Sequence, residues 1–265
     1  MASWAERAGS SVRGWAAGPG RPYGSCVVLD DGADRLPPSP ARRDSRRGDI
    51  LVAFTRAVAE RGYDGTNFGD LAAELGISKG TIVHHFGTKE QLLRELHEGY
   101  MRRRLAEAQA VWAAEPGPAE RLAAVLHLGV RYQVVDRTAT VAFQREARRF
   151  AATGGMESSR ALRDEYRQMV AGVLADGVAG GDFRPGDDGL RTLQLFGSVH
   201  WMWTWFDPAG PLSAATVAAS FVDTFLTGVL ADPGRAAALA DPVGRIAGLV
   251  DAVLAGALTA GSSAS

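Results

Sequence analysis

Ile50, Phe54 and Val58 fall four residues apart between Asp44 and Arg61, with Leu51 beside them and Gly62 behind, the pattern of one apolar helical face closed by a glycine. Phe68, Leu71, Ala72 and Leu75 repeat helical spacing over a shorter span, with Thr66 as the expected cap and Gly76 as the stop. Ile77 is expected to drop between this helix and the next, which Ser78 caps and which runs from Lys79 to Phe86 with Ile82 and Phe86 inward. Thr88 and Gln91 match a capping box, so a further helix is predicted from about Lys89 through Leu92, Leu96 and Tyr100 to about Trp112. Arg102 to Arg104 are expected on its wet face.

Beyond Pro118 the chain is again helical, and no segment alternates with the period of two that a half-buried strand requires. One helix is marked by Leu122, Val125, Leu126 and Gly129. A second spans Thr138 to Ala152, and a third Met156 to Val178 with Leu162, Tyr166 and Val173 inward. Asp187 to Phe206 and Ser213 to Leu230 form a pair joined by Asp207-Pro-Ala-Gly-Pro211, and Phe221, Phe225 and Val229 make a continuous stripe on the last. The pattern predicts an all-α fold, with a three-helix unit over residues 44–104 and a helical bundle over 105–230. Residues 1–41, rich in Gly, Pro, Ser and Arg without a period, read as a disordered extension. Residues 231–265 read as an Ala- and Gly-rich tail with an extra helix bearing Ile246, Leu249, Val250, Val253 and Leu254.

Thr66 to Gln91 has the form of a helix-turn-helix, a corner also found in helical domains of other kinds. Ser78, Lys79, Gly80 and Thr81 make the first turn of its second helix short and polar, which lets the backbone approach phosphates and base edges in a DNA major groove. The run T-x-x-x-D-L-A-x-x-x-G-I-S-K-G-T-I-x-H-H-F-x-T-K-E-x-L from Thr66 to Leu92 resembles the DNA-binding domain of the tetracycline-repressor (TetR) family of bacterial regulators. The resemblance implies DNA contacts from Thr66, Ser78, Lys79, Gly80, Thr81, His84, His85 and Lys89. Val83 stands where the family usually has tyrosine, so that phosphate contact is not expected here. The resemblance further implies that the last two helices form a four-helix interface between two copies.

Composition narrows the function. With 46% apolar and 22% charged residues the chain has ordinary globular content, and its net charge of −1 means that any attraction to DNA must be local. Both lysines of the chain, Lys79 and Lys89, fall in the motif, and Arg42, Arg43, Arg46 and Arg47 gather at the start of the first helix. There they oppose the helix dipole unless phosphates neutralise them, although a solvated charge run is an equal reading. Cys26 is the single cysteine, no Cys/His cluster has zinc spacing, and no metal or cofactor is expected. A signal or spanning pattern is missing too, so a cytoplasmic protein is expected.

Two features of the second half suggest a ligand. In a helix, Trp201 and Trp205 share a face while Trp203 opposes them, so one core cannot absorb all three and at least one should meet a cavity or interface. Arg145, Arg148 and Arg149 form a basic stripe suited to a phosphate or carboxylate, with a solvated helix face as the alternative. Tyr166 and His200 join them as candidate ligand residues. Gln144-x-Glu146-Ala147-x-Arg149 and Trp205-Phe-Asp-Pro-Ala-Gly-Pro-Leu212 loosely resemble an actinobacterial TetR subgroup controlling fatty-acid and sterol-ring catabolism, which implies acyl-coenzyme A thioesters as the ligand class. The expected protein is a dimeric repressor with a double-stranded DNA operator and a small-molecule ligand as partners. A ligand-independent architectural dimer stays open. An enzyme with a fused helix-turn-helix does not fit, because His84, His85, His97, His127 and His200 are scattered without metal spacing or a convergent nucleophile.

Overall fold

A computed structural model describes residues 46–114, 117–147, 149 and 156–260, with side chains as far as 256. The expectations for residues 1–41, Arg42, Arg43, Cys26 and Arg148 lie outside this set. Among the described residues the chain is helical, and its single β-type contact is an isolated bridge between Phe183 and Leu230.

The first unit contains α1 (Arg46–Arg61), α2 (Phe68–Leu75), α3 (Lys79–Phe86) and the start of α4 (Lys89–Ala114). Ile50, Phe54, Val58, Leu71, Ile82, Phe86, Leu92 and Leu96 form its core, as the four-residue and three-residue spacings require. The corner between α2 and α3 depends on Gly76, whose φ of 62° lies in the left-handed region. Two local predictions change here. Asn67, not Thr66, caps α2, its Oδ1 accepting from the amides of Gly69 and Asp70, while the Thr66 hydroxyl turns inward to the Gly62 carbonyl. At α4 the Thr88 hydroxyl accepts from the Gln91 amide, but the Gln91 side chain goes to Arg94 and Glu95 instead of reaching back.

The bundle is built around α5 (Pro118–Val135), which is buried on every face from Leu122 to Leu128. A helix apolar all round belongs in the middle of a core. Around it lie α4, α6 (Arg137–Arg145), α7 (Glu157–Ala179), α8 (Asp188–His200) and α9 (Ala214–Val229). At the end of α7, Gly177 lets the Phe183 ring lie against the helix, where an added Cβ would come within 2.1 Å of it.

Three expectations fail in this half, while the extra helix expected in the tail is present and packed. The second helix stops at Arg145, before Glu146, and Ala152 lies outside the described residues. The α8 helix does not continue to Phe206 but tightens into a 3-10 turn at Trp201–Thr204. Arg104 is not on a wet face, since it is buried beside Glu107 and Asp136. The tail is part of the core: after α10 (Ala236–Leu239), α11 (Arg245–Ala260) packs on α4 and α5 with Ile246, Val250 and Leu254 buried.

Candidate DNA-binding and ligand-sensing sites

The outer surface of α3 is short and polar because Ile82 and Phe86 face inward. Ser78 caps the helix, its Oγ accepting from the Thr81 amide at 3.1 Å and lying 3.0 Å from the Thr81 hydroxyl. Lys79, Gly80 and His84 are exposed, Thr81 and His85 half-buried, and Val83 is exposed. The Lys79 stem crosses the start of α2, its Cε 3.0 Å from where a Cβ on Gly69 would sit. Ser78, Lys79, Gly80, Thr81, His84 and His85 are thus gathered on or beside one exposed helix that a major groove can admit.

Thr66 and Lys89 are placed differently. Thr66 is buried, and the Lys89 ammonium donates to the carbonyls of Tyr63 and Thr66 at 2.8 and 2.7 Å. Both therefore hold the α1–α2 loop to the start of α4.

The basic stripe also acts within the protein. Arg145 donates from Nη1 to the carbonyls of Ala59 and Glu60, capping the last turn of α1, where a cation complements the helix dipole. The Glu146 carboxylate, buried, accepts from the Tyr63 amide at 2.8 Å. Arg149 pairs with Asp64 and Glu146, and its guanidinium lies 4.6 Å from the Tyr63 ring centroid. These contacts fasten the bundle to the first unit.

Deeper in the bundle, α4 carries a buried ion cluster. Arg104 meets Glu107 at 2.9 Å and Asp136 at 3.3 Å, with its guanidinium 3.6 Å from the Tyr132 ring centroid and 4.7 Å from that of Tyr100. Burial raises the Glu107 carboxyl despite Arg104, and burial also raises the Tyr132, Tyr100 and Tyr166 hydroxyls, so all three tyrosines stay neutral.

Next to this cluster is an aromatic stack from four helices. His97 and Tyr100 of α4 each stack on Phe143 of α6 at 4.4 Å, and Phe196 of α8 lies 5.5 Å from Tyr166 of α7 and 5.4 Å from His200. Burial and the Arg163 charge hold the His97 imidazole well below its usual range. His200 is reachable by solvent yet crowded by protein, and the same two causes bring it to about 4. Of the candidate ligand residues, Tyr166 and His200 come together here through Phe196. Trp201 and Trp205 point outward, 65% and 47% exposed, and Trp203 is half-buried. Sequence reasoning missed His97, Phe143, Arg163 and Phe196, although His97 stands on the Leu93–Tyr100 stripe and Arg163 three residues before Tyr166. A polar side chain on an apolar stripe was the available signal.

Outward from the stack, Leu190, Leu193 and Trp201 leave an exposed apolar line along α8. Beside it a groove of about 340 Å³ lies between Arg191, Gln194 and Ser198 of α8 and Phe221, Phe225 and Val229 of α9. No helix among the described residues is long and apolar enough to cross a membrane.

A polar recognition helix on a compact three-helix unit, continued by one helix into an apolar bundle that holds a buried ion cluster, defines a DNA-binding regulator with a sensor domain. The sequence matches the model for bacterial regulatory proteins of the tetR family over residues 50–96 and that for the tetracyclin repressor-like C-terminal domain over 115–229. The chain belongs to the TetR family and is a transcriptional regulator, not an enzyme. It is 28% identical over 199 residues to the HTH-type transcriptional repressor KstR2 of Mycolicibacterium smegmatis, covering 75% of this chain and 97% of that protein. The solved ketosteroid regulator KstR2 of Mycobacterium tuberculosis superposes with a TM-score of 0.65 at 28% identity, covering 71% of this chain and 97% of that one. AibR, solved with isovaleryl coenzyme A and operator DNA, gives 0.59 at 25% identity, covering 69% and 97%. Both α10 and α11 lie beyond the matched C-terminal domain.

Proposed function

We propose that this repressor holds its operator as a homodimer and releases it when a large anionic amphiphile of the acyl-coenzyme A class enters the bundle. The carrying observation is α4. It runs unbroken for 26 residues, with Leu92 and Leu96 in the core of the first unit and Tyr100, Met101 and Leu105 in that of the second. A ligand that shifts its inner half must also shift the recognition helix. Release follows only if the ligand binds better to the conformation whose two recognition helices cannot reach adjacent major grooves. The ligand class is supported by the likeness to AibR, whose structure holds both an acyl-coenzyme A and DNA. Dimerisation is supported by the exposed stripe on α8 and the groove beside it.

Thr81 and His84 are the base-reading residues in this scheme, and Lys79 a phosphate contact. A panel of acyl-coenzyme A esters should raise the operator dissociation constant, measured by fluorescence anisotropy. An operator affinity untouched by every ester at near-millimolar concentration would instead favour a ligand-independent architectural dimer.

A further inference from the structure

Arg104, buried, and Arg163, half-buried, differ in their counter-charge. Arg104 is surrounded by carboxylate oxygens and tyrosine faces. Arg163, on the inward stripe of α7, has no carboxylate at ion-pair distance among the described residues. Its Nε is buried without a hydrogen-bond partner, and Nη1 makes a long 3.5 Å bond to the Ala147 carbonyl. Burial pushes the guanidinium down from its ordinary range, outweighing the neighbouring Asp164, and the Arg160 and Arg167 charges add to the effect.

A half-buried cation without an anion is costly to keep, because its hydration is lost and not replaced. The surroundings resemble a receptor for the missing charge. His97 and His200 both lie within electrostatic reach of Arg163, and the neutral imidazole of solvent-reachable His200 offers one N–H donor. The Phe143 ring stacks on His97 and the Phe196 ring on His200, with Tyr100 and Tyr166 against them, so apolar rings surround the imidazoles.

We propose that Arg163, flanked by His97 and His200, is the anion-recognising group of the ligand site and takes a single carboxylate carried on an apolar body. One guanidinium balances one charge, and its fork matches the two oxygens of a carboxylate. The several phosphate charges of a coenzyme would exceed one guanidinium in this interior, so they are not what Arg163 reads. The carboxylate comes either from a free acid or from the far end of a thioester's acyl chain. This inference rests on the sensor reading above and specifies which chemical group the bundle reads.

The test uses the full chain and Arg163→Met, which keeps the stem and removes the charge. Without ligand, Arg163→Met should melt at the wild-type temperature or higher and bind operator unchanged. Operator release is then titrated with long-chain monocarboxylic acids, their primary amides, plain acyl-coenzyme A esters and ω-carboxyacyl-coenzyme A esters. Wild type should favour carboxylate over amide, or ω-carboxyacyl over plain ester, by about 10- to 100-fold, and Arg163→Met should lose that preference. Which pair shows it identifies the source of the carboxylate. A clearly lower melting temperature for Arg163→Met would make the arginine structural and overturn the proposal, as would amides acting as well as acids. Plain esters releasing wild type and variant alike, with no carboxylate preference, would remove this inference and leave the sensor reading standing. Silence from all four panels would remove both.

Discussion

Lys89 donates to the Tyr63 carbonyl at 2.8 Å and at the same time stands 4.1 Å from the centroid of the Tyr63 ring. The Arg149 guanidinium reaches that ring from the bundle as well, and the Tyr63 hydroxyl donates to Glu90. Tyr63 thereby joins the α1–α2 loop, the start of α4 and the segment after α6. Its hydroxyl is pushed up by burial and by Glu90, so it remains a neutral donor at physiological pH.

This arrangement separates the two lysines of the motif. Lys79→Ala should reduce the slope of log affinity against log salt by about one, as expected for the loss of one phosphate contact. Lys89→Met should change the slope little and instead lower stability by about 1.5–3 kcal/mol, the range for hydrogen bonds to a charged donor. Salt titrations of operator binding and urea melts together decide this. A full unit lost from the Lys89→Met slope would return that residue to the DNA.

Glu146→Ala leaves the Tyr63 amide without its acceptor and should cost about 1–3 kcal/mol in urea unfolding. Specific binding requires both recognition helices at a fixed separation, whereas random DNA needs only charge. Glu146→Ala and Arg145→Ala should accordingly weaken operator binding several-fold more than binding to random duplex. Equal losses on both would show that the contacts only stabilise the fold.

Leu193→Arg tests the pairing face without entering the core, since Leu193 is 57% exposed in the single chain. Sedimentation should give a monomer at micromolar concentration, with helical content unchanged. A dimer persisting in this variant would place the interface elsewhere.

His97 and His200 predict an acid-sensitive fold. Their imidazoles are held below the unfolded value, His200 at about 4, so between about pH 6.5 and 4 the unfolded chain binds more protons. Stability should therefore fall as pH drops through that window and be fully present above it. Glu107, raised by burial, works the other way in the carboxylate range, so the comparison with His97→Leu isolates the histidine. Urea midpoints from pH 7.5 to 5 should decline more steeply for wild type than for His97→Leu.

The recognition unit was legible in the sequence because its determinants are local. Gly76, Ser78 and the spacing of Leu71, Ile82 and Phe86 each act within a turn or two of themselves, so the residues state the geometry directly. The Asn67 cap escaped because Thr66 and Asn67 are both good caps and only the fold turns one hydroxyl inward. In the bundle, periodicity located the helices but not the partners of their polar side chains. Arg104, Arg145 and Arg163 look alike along the chain, each a cation on a helical segment. Tertiary packing makes the first a buried ion-pair centre, the second a cap on α1 and the third a half-buried charge without a paired carboxylate among the described residues. The same holds for Ile246, Val250 and Leu254, whose stripe announced a helix but not that α4 and α5 would cover it. A side chain's charge and period belong to the sequence. Its solvation and counter-charge come from residues distant along the chain, and only the fold brings those together.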